Sequence, residues 1–160
     1  MGAVKAVVIT VSDRVSAGEA EDRSGPSAAA MLGRLGFTTD VRVVPDGVDS
    51  VEMALRSAAE DGAALVVTTG GTGMAARDLT PEATRRVIDR EAPGLAEAMR
   101  AATFGVNPHG MLSRGVTGIA GSTLIINLPG SVAGVEESLE VVGPALRHAV
   151  DLLRGEPTEH

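Results

Sequence analysis

The stretch LVVTTGGTG at residues 65–73 decides the fold class of this chain of 160 residues. Its first part, Leu65–Thr68, is apolar and rich in β-branched residues, which predicts a buried strand. The strand leads directly into a loop with three glycines in four positions, Gly70–Gly73. A helix is predicted from Thr80, because a capping threonine precedes a proline at the first helical position. This order of strand, loop and helix predicts one unit of a parallel sheet with crossover helices.

The same alternation continues along the rest of the chain. Further strands are predicted at Val4–Val11, Val41–Val44 and Thr123–Leu128, with a weaker one at Gly115–Ile119. Further helices are predicted at Pro26–Leu35, from Asp49 or Ser50 to Asp61, from Thr80 to Arg90, at Leu95–Thr103, and in a final stretch that ends at about Leu153 after an interruption near Gly143-Pro144. No linker or internal repeat divides this pattern. We therefore expect one domain over residues 1–154 and a flexible tail over residues 155–160.

The composition argues against several classes of protein. Fourteen basic and 21 acidic residues give a net charge of −7, and no basic run offers the patch that nucleic-acid binding needs. The chain has no Cys and three His, which argues against a thiolate nucleophile and a histidine-rich metal site. No apolar stretch is long enough to span a bilayer, and the N-terminus has no signal-peptide pattern. We expect a cytoplasmic protein with no membrane or nucleic-acid partner.

Polar or glycine-rich residues follow each of the main predicted strands. Ser12 and Asp13 follow the first strand, Asp46 the second, Gly70–Gly73 the third and Asn127–Ser131 the last. In open α/β sheets, ligands bind in the crevice beyond the carboxyl ends of the strands. The convergence of these four segments therefore predicts a ligand site at that edge of the sheet.

The glycine loop, Gly70–Gly73, has two interpretations. Without side chains in the way, its backbone N–H groups can form a nest for an anion such as phosphate. No Gly-Lys-Ser/Thr follows, so it is not a Walker A loop, and the G-G-x-G spacing is a poor dinucleotide fingerprint. A nicotinamide-dependent oxidoreductase is therefore disfavoured. The second interpretation is a tight turn that needs positive φ angles, and the local pattern leaves both open.

Two aspartates near these strand ends are candidate metal ligands. Asp46 and Asp78 lie on neighbouring loops, and Mg²⁺ takes a few carboxylate oxygens from protein and the rest from water and phosphates. Asp46 could instead cap a turn, and Asp78 could favour the start of the following helix. Asp13 could likewise cap local backbone N–H groups.

Other candidate ligand-binding residues lie near the last strand. Ser131 and its neighbours could hold a phosphate at the start of the final helix. Arg114 is the clearest cation near this region, and arginine can grip a phosphate with two hydrogen bonds. His109, next to a proline, is interpreted as a loop residue rather than a general base.

Taken together, these motifs resemble a known signature. The run Thr68–Gly73 followed by Arg77–Ala83 resembles the signature of the bacterial molybdopterin adenylyltransferase family. Supporting stretches are Thr10–Arg14, Pro93-Gly94 with Glu97 and Arg100, Leu112–Arg114 and Leu124–Ser131, so that the resemblance runs from about Val4 to Leu153. It implies a three-layer α/β/α sandwich with a mostly parallel sheet, the molybdopterin-binding fold, assembled as a homotrimer.

The resemblance also implies a reaction. The terminal phosphate of molybdopterin attacks the α-phosphate of ATP in the presence of Mg²⁺, which releases pyrophosphate and leaves adenylated molybdopterin. The partners implied are molybdopterin, ATP and a downstream molybdenum-insertion protein. The chemistry agrees with the composition, because nucleophile and leaving group are both phosphate oxygens and no protein nucleophile is needed.

Site residues follow from the same resemblance. It assigns Asp46 and Asp78 to catalysis and to Mg²⁺. It assigns the cradle for the ligand to Gly70, Gly71, Thr72 and Gly73. It assigns the pocket walls to Ser12, Asp13, Ser113, Asn127, Pro129 and Gly130, and Thr103 lies where relatives carry a serine implicated in pterin binding.

The pattern departs from the family in one place, and one alternative function stays open. The last turn reads Gly130-Ser131-Val132-Ala133, where many relatives have a second proline soon after the serine. One subgroup of the family has the same fold and weak or unclear activity. The alternative is therefore a non-catalytic or weakly active carrier or scaffold that holds molybdopterin.

Overall fold

The computed structural model describes residues 3–159, which contain six strands and seven helical segments. The strands are β1 (Val4–Val11), β2 (Phe37–Val44), β3 (Leu65–Thr69), β4 (Arg90–Glu91), β5 (Thr117–Ala120) and β6 (Thr123–Leu128). The α-helices are α1 (Asp13–Ser16), α2 (Ser24–Arg34), α3 (Val48–Glu60), α4 (Thr80–Val87), α5 (Pro93–Ala101) and α6 (Val132–Leu153), and a 3₁₀ helix spans Pro108–Leu112. Within residues 3–159, no helix combines the length and the apolar character that crossing a membrane requires.

The six strands form one sheet in the order β2-β1-β3-β6-β5-β4. The first four of these strands are parallel, whereas β5 is antiparallel to β6 and β4 is antiparallel to β5. β1, β3 and β6 are neighbours in the middle of the sheet. Their carboxyl ends at Val11, Thr69 and Leu128 therefore lie side by side at one edge.

Helices cover both faces of this sheet. On one face Val8 of β1 packs in an apolar cluster with Leu32 of α2 and Leu139 of α6. On the other face Val7 packs in a second cluster with Leu55 of α3. Successive side chains of a strand point to opposite faces, so a strand covered on both sides must be apolar throughout. The expected three-layer α/β/α sandwich with a mostly parallel sheet is confirmed.

The last helix differs from the prediction. α6 continues through Gly143 and Pro144 without the expected interruption. Proline removes a backbone hydrogen bond inside a helix, at a cost of about 3 kcal/mol. The buried face of α6, which includes Leu139, Val142 and Leu146, compensates because burial of each such side chain contributes about 1.5–3 kcal/mol. Tertiary packing overrides the local signal.

Two element boundaries differ from the prediction by three or more residues, and the other shifts, such as the start of α5 at Pro93 rather than at Leu95, are smaller. β2 begins at Phe37 rather than at residue 41, because the polar run Thr38–Asp40 belongs to an edge strand that is half exposed. α4 ends at Val87 rather than at Arg90, because Arg90 pairs with Ile119 of β5. Both differences come from strand pairing, which the local apolar pattern does not report.

The start of α3 is built differently from the expected cap. α3 begins at Val48 after Gly47, whose φ of +118° is accessible to glycine and to few other residues. Neither Asp49 nor Ser50 caps the helix. Instead, the Ser50 hydroxyl donates to the carbonyl of Pro45 at 2.7 Å, which closes the turn after β2.

Candidate active site

The glycine loop, Gly70–Gly73, lies where the three central strands end. The Gly70 N–H donates to the carbonyl of Leu128 at 3.2 Å. A Cβ atom on Gly70 would overlap the carbonyl oxygen of Val11, and one on Gly130 would lie 3.2 Å from the Gly70 Cα. Gly70 and Gly71 also have φ angles of +93° and +70°. The turn that needs glycine is therefore confirmed, and close backbone packing adds a second reason for glycine.

Asp46 and Asp78 border this same loop. A Cβ atom on Gly71 would lie 3.4 Å from Asp46 Oδ1, and one on Gly73 would lie 3.0 Å from Asp78 Oδ2. Gly71 and Gly73 are two residues apart, so their Cα atoms are separated by at most about 7 Å. The fold thus brings the two predicted acidic residues to opposite ends of one short segment. Their roles in catalysis and metal binding stay predictions.

Asp46 is tied to the end of β1 by paired hydrogen bonds. The Asp13 N–H donates to Asp46 Oδ2 at 2.9 Å, and the Asp46 N–H donates to Asp13 Oδ1 at 3.1 Å. Arg77 donates to both oxygens of Asp13, at 2.6 and 3.0 Å, and to the Asp46 carbonyl at 2.8 Å. We call this arrangement the Asp13–Arg77 latch. It holds the loops after β1 and β2 to the segment before α4.

The latch changes the ionisation of its two members. The hydrogen bond from Arg77 holds the pKa of the Asp13 carboxyl below its ordinary value of 3.8, and the hydrogen bond to Asp13 raises the pKa of Arg77. Both oxygens of Asp13 are engaged inside the protein. Direct contact between Asp13 and a ligand stays a prediction.

Asp78 is held mainly through its backbone. Its carboxylate accepts a hydrogen bond from the Ala75 N–H at 3.0 Å. Its carbonyl accepts one from the guanidinium of Arg114, which also donates to the Gly73 carbonyl at 2.8 Å. The same guanidinium donates to both carboxylate oxygens of Glu82, at 2.8 and 3.0 Å. Arg114 is thus engaged by three protein groups, and its predicted grip on a phosphate stays untested.

A cleft of about 860 Å³ opens beside the glycine loop. Its walls are the loop itself, the segment from α5 through the 3₁₀ helix, and the first turns of α6. This volume lies within the range of small-molecule sites. The predicted residues that line the cleft are Gly70, Gly71, Thr72, Gly73, Asp78, Thr103, Ser113, Pro129, Gly130 and Ser131.

Two predicted residues lie in smaller neighbouring pockets. Ser12 lines a pocket of about 350 Å³ that shares Gly130 with the main cleft, and its hydroxyl caps α1 by accepting from the Val15 N–H at 3.2 Å. Asn127 lines a pocket of about 50 Å³ that shares Thr103 with the cleft. Both pockets therefore adjoin the main cleft.

The side chain of Asn127 belongs to the interior of the protein. The residue is 3% exposed. Its amide nitrogen donates to the hydroxyls of Thr68 and Thr84, at 3.1 and 2.9 Å, and its oxygen accepts from the Val116 N–H at 3.0 Å. These bonds tie β3, β6, α4 and the segment before β5 together. The structure therefore gives Asn127 a supporting place beneath the cleft, and contact with a ligand stays a prediction.

Several residues of the cleft wall were not among the predicted site residues. They are Met99, Ala102, Val106, Asn107, His109, Gly110 and Leu112 from the α5 side, and Ala133, Gly134, Glu137, Ser138, Glu140 and Val141 from α6. The spacing of 137, 140 and 141 along a helix indicates one shared face. Because all three positions precede Gly143-Pro144, this face could have been identified from the predicted final helix alone.

Comparison with known proteins identifies the family. The family model described as "Probable molybdopterin binding domain" matches residues 7–148. The chain belongs to this family. Among curated relatives it is 41% identical over 152 residues to a molybdopterin adenylyltransferase of Helicobacter pylori strain J99, which covers 92% of this chain and 86% of the relative. The molybdopterin adenylyltransferase of Escherichia coli K12 is 38% identical, over 91% of this chain and 76% of the relative.

A solved structure agrees with these relatives. The molybdopterin biosynthesis enzyme MoaB from Thermus thermophilus superposes with a TM-score of 0.91 at 44% identity, over 98% of this chain and 99% of that chain. The resemblance seen in the motifs is confirmed, and it places this chain in the molybdopterin adenylyltransferase and molybdenum cofactor biosynthesis family. Other relatives are much longer. The chain spans 22% of the length of Dictyostelium discoideum gephyrin and 25% of that of the Drosophila melanogaster molybdenum cofactor synthesis protein cinnamon.

Proposed function

We propose that this protein is a molybdopterin adenylyltransferase that uses Mg-ATP. In the reaction, a terminal phosphate oxygen of molybdopterin forms a bond to the α-phosphorus of ATP. The bond between the α-phosphorus and the bridging oxygen breaks, and pyrophosphate leaves with that oxygen. The observation that supports this proposal best is that Asp46 and Asp78 border one glycine loop, beside a cleft of about 860 Å³.

The backbone of the glycine loop is suited to phosphate groups. Within residues 3–159, the N–H groups of Gly71, Thr72 and Gly73 donate to no protein acceptor. The start of α6, with Ser131 as its cap, also lines the cleft, and Gly130 just before it packs against Gly70. The N-terminus of a helix of 22 residues favours negative charge. These groups would bind and orient the phosphates, which is the main requirement for phosphoryl-type transfer.

Asp46 and Asp78 fit a magnesium ion that arrives with the nucleotide. Mg²⁺ keeps several waters and is held by one or two carboxylates plus substrate phosphates. Within residues 3–159, no group of three or more His, Asp or Glu could hold a metal by itself, which agrees with a shared ion rather than a cage made of protein. When bound, Mg²⁺ neutralises the charge of the triphosphate.

The charge of the cleft makes this ion necessary for the proposed reaction. Among the described residues, no Lys or Arg lines the cleft, whereas Asp78, Glu137 and Glu140 do. Triphosphate bound next to these carboxylates would be repelled without a cation. We therefore expect product formation to stop completely in the presence of a chelator and to return when Mg²⁺ is restored.

The direct test is incubation of the protein with molybdopterin, Mg²⁺, pyrophosphatase and ATP labelled at the α-phosphate. Labelled adenylated molybdopterin is the expected product, and Asp46→Asn and Asp78→Asn are expected to form almost none. Asp49→Asn is the matched control, because its side chain is 96% exposed on α3. Absence of product from a folded protein that binds molybdopterin would overturn the proposal.

The second candidate is a carrier or scaffold that holds molybdopterin without turnover. The absence of a cationic side chain from the described cleft wall is compatible with it, because a carrier has only the single phosphate of molybdopterin to accommodate and no triphosphate. Titration of the protein with molybdopterin, with and without Mg-ATP, separates the two. Binding without any release of pyrophosphate would support the carrier.

The proposal also covers the assembly of the protein. We propose a homotrimer, and the exposed apolar side chains of Phe104, Val106 and Met111 support an assembled state because they are 60–79% exposed in the single chain. Light scattering should give a mass of three times 16.2 kDa.

A molybdenum-insertion protein is the proposed downstream partner in the cytoplasm. A bifunctional molybdenum cofactor biosynthesis protein of Synechococcus elongatus, of which this chain covers 49%, supports that pairing.

A further inference from the structure

Two residues hold all four carbonyl oxygens of the glycine loop. Thr80 donates from its hydroxyl to the Gly70 carbonyl at 3.0 Å and from its N–H to the Gly71 carbonyl at 3.1 Å. Arg114 donates from its N–H to the Thr72 carbonyl and from Nε to the Gly73 carbonyl, both at 2.8 Å. Each residue therefore supplies one backbone and one side-chain donor to consecutive carbonyls.

Three of the four N–H groups of the loop remain available to bind a ligand. Within residues 3–159, the N–H groups from Gly71 to Gly73 have no protein acceptor. A peptide unit holds its C=O and N–H on opposite sides, because the amide is planar and trans. Fixing the carbonyl oxygens of consecutive peptides thus also fixes the direction of their N–H groups. A loop held in this way offers donors, and few acceptors, to whatever binds it.

Both anchors depend on α4. Thr80 is the first residue of this helix, is fully buried, and does not act as the helix cap that the sequence predicts. Arg114 comes from the segment before β5, and its guanidinium is fixed by both carboxylate oxygens of Glu82, also on α4. The side chains of Arg114 and Glu82 are 36% and 37% exposed. Solvent therefore screens this pair only in part.

We propose that Thr80 and Arg114 are positioning residues, which turn the glycine loop into a surface of N–H donors for anions, and that Glu82 holds Arg114 in place. Arg114 then acts through the loop and makes no contact with the phosphates. The kind of anion rests on the proposed function, with ATP as the nucleotide. The orientation of the loop is a property of the free protein.

The first experiment measures the loop itself. Hydrogen–deuterium exchange of ligand-free protein reports on the hydrogen-bonded amides in and next to the loop, such as those of Gly70, Asp78 and Thr80. Their exchange should become about ten-fold faster in Arg114→Met and in Glu82→Gln, because each change releases a charge-assisted hydrogen bond that anchors the loop. Arg56→Met is the matched control, since Arg56 also pairs with a glutamate, Glu52, on the surface of α3. Unchanged exchange in both Arg114→Met and Glu82→Gln would overturn the proposal, whether or not the protein has enzymatic activity.

The second experiment distinguishes positioning from direct contact. Calorimetry with Mg-ATP should show about ten-fold weaker binding for Arg114→Met and also for Glu82→Gln, with the double variant no weaker than Arg114→Met alone. If Arg114 gripped the phosphates itself, Glu82→Gln would leave ATP binding unchanged or make it tighter. That result would overturn the proposed role of Arg114.

Conservative variants provide the remaining check. Thr80→Ser keeps the hydroxyl donor and should bind Mg-ATP normally, whereas Thr80→Val should bind it about ten-fold more weakly. If Arg114→Met does not fold, Arg114→Lys replaces it in the exchange experiment. The exchange rate of its loop amides should lie between the rates of wild type and Glu82→Gln. Equal binding by Thr80→Ser and Thr80→Val would contradict the positioning role. If the exchange rates change as predicted but the protein forms no adenylated molybdopterin, the proposed reaction is wrong and the positioning role of Thr80 and Arg114 still holds.

Discussion

Asp46 and Asp78 border the same glycine loop but are held in different ways. On the Asp46 side, the Asp13–Arg77 latch is open to solvent, with the side chains of Arg77 and Asp13 62% and 44% exposed. On the Asp78 side, Arg114 and Glu82 are 36% and 37% exposed. Arg114 also donates to the carbonyls of Gly73 and Asp78.

The difference indicates where the site is rigid. Water and salt screen an exposed ion pair, so the latch contributes little to stability by itself. The hydrogen bonds of Arg114 connect a helix, a loop and the segment before β5, and an unpaired carbonyl there costs more than a lost surface pair. We infer that the Asp78 side of the loop is fixed before any ligand binds and that the Asp46 side is the more adjustable one.

The largest expected effect is on the rate of adenylylation. Asp78→Asn should lower the rate about 1,000-fold and Asp46→Asn about 100-fold, because a preorganised charge contributes more than an adjustable one. The thermal midpoint should stay near that of wild type, since asparagine can accept the hydrogen bonds that the structure gives each carboxylate. A collapse in the thermal midpoint of either variant would favour a purely structural role for that residue.

The second prediction concerns Gly71, which lies in the glycine loop between the Asp46 side and the Asp78 side. Gly71→Ala should lower the free energy of unfolding by about 2–3 kcal/mol, because φ is +70° and the new Cβ would overlap the hydroxyl of Thr80. Gly33→Ala is the control, since a Cβ there meets nothing within 4 Å. In the helix α2 it should stabilise by about 0.5–1 kcal/mol. Urea unfolding measures both, and equal effects would show that the loop is not constrained as described.

The third prediction compares the two arginines directly. Arg114→Met should lower the free energy of unfolding by about 2 kcal/mol, since it leaves two carbonyls and Glu82 without their donor. Arg77→Met should have a smaller effect that disappears at high salt. Urea unfolding at low and high salt is the measurement. If Arg77→Met were the more destabilising change, the Asp46 side of the loop would be the rigid one, which contradicts the inference.

The smallest expected effect is on the titration of Asp13. Because its folded-state pKa lies below the ordinary 3.8, the pair with Arg77 stabilises the fold above pH 3.8, and this contribution is lost as the pH falls through the lower folded-state value. Carboxyl ¹³C NMR of metal-free protein should give a midpoint below 3.8 in wild type. In Arg77→Met the midpoint should rise towards 3.8, and an unchanged midpoint would show that the latch does not form in solution.

Much of the fold and part of the site could be predicted from the sequence. Buried strands such as Thr123–Leu128 are apolar along most of their length, and the three glycines of Gly70–Gly73 indicate a loop with positive φ angles. The rule that ligands bind beyond strand ends brought Asp46 and Asp78 together as candidates. These features depend on local pattern and on one general property of parallel sheets.

The remaining features depend on contacts between distant parts of the chain. Arg114 reaches Glu82 across 32 residues and Gly73 across 41, and nothing local to Arg114 distinguishes such a brace from a free cation. Thr80 has the sequence signature of a helix cap, yet its hydroxyl binds the Gly70 carbonyl. α6 crosses Pro144 because its buried face favours a continuous helix, and the local signal of the proline does not report this packing.

A crystal structure of the protein with Mg²⁺ and a non-hydrolysable ATP analogue tests the central claim most directly. We expect the phosphates to accept hydrogen bonds from the N–H groups of Gly71–Gly73, with the ion between Asp46 and Asp78, while Arg114 stays paired with Glu82. Phosphates bound away from the glycine loop, or an Arg114 that leaves Glu82 to contact them, would contradict the account.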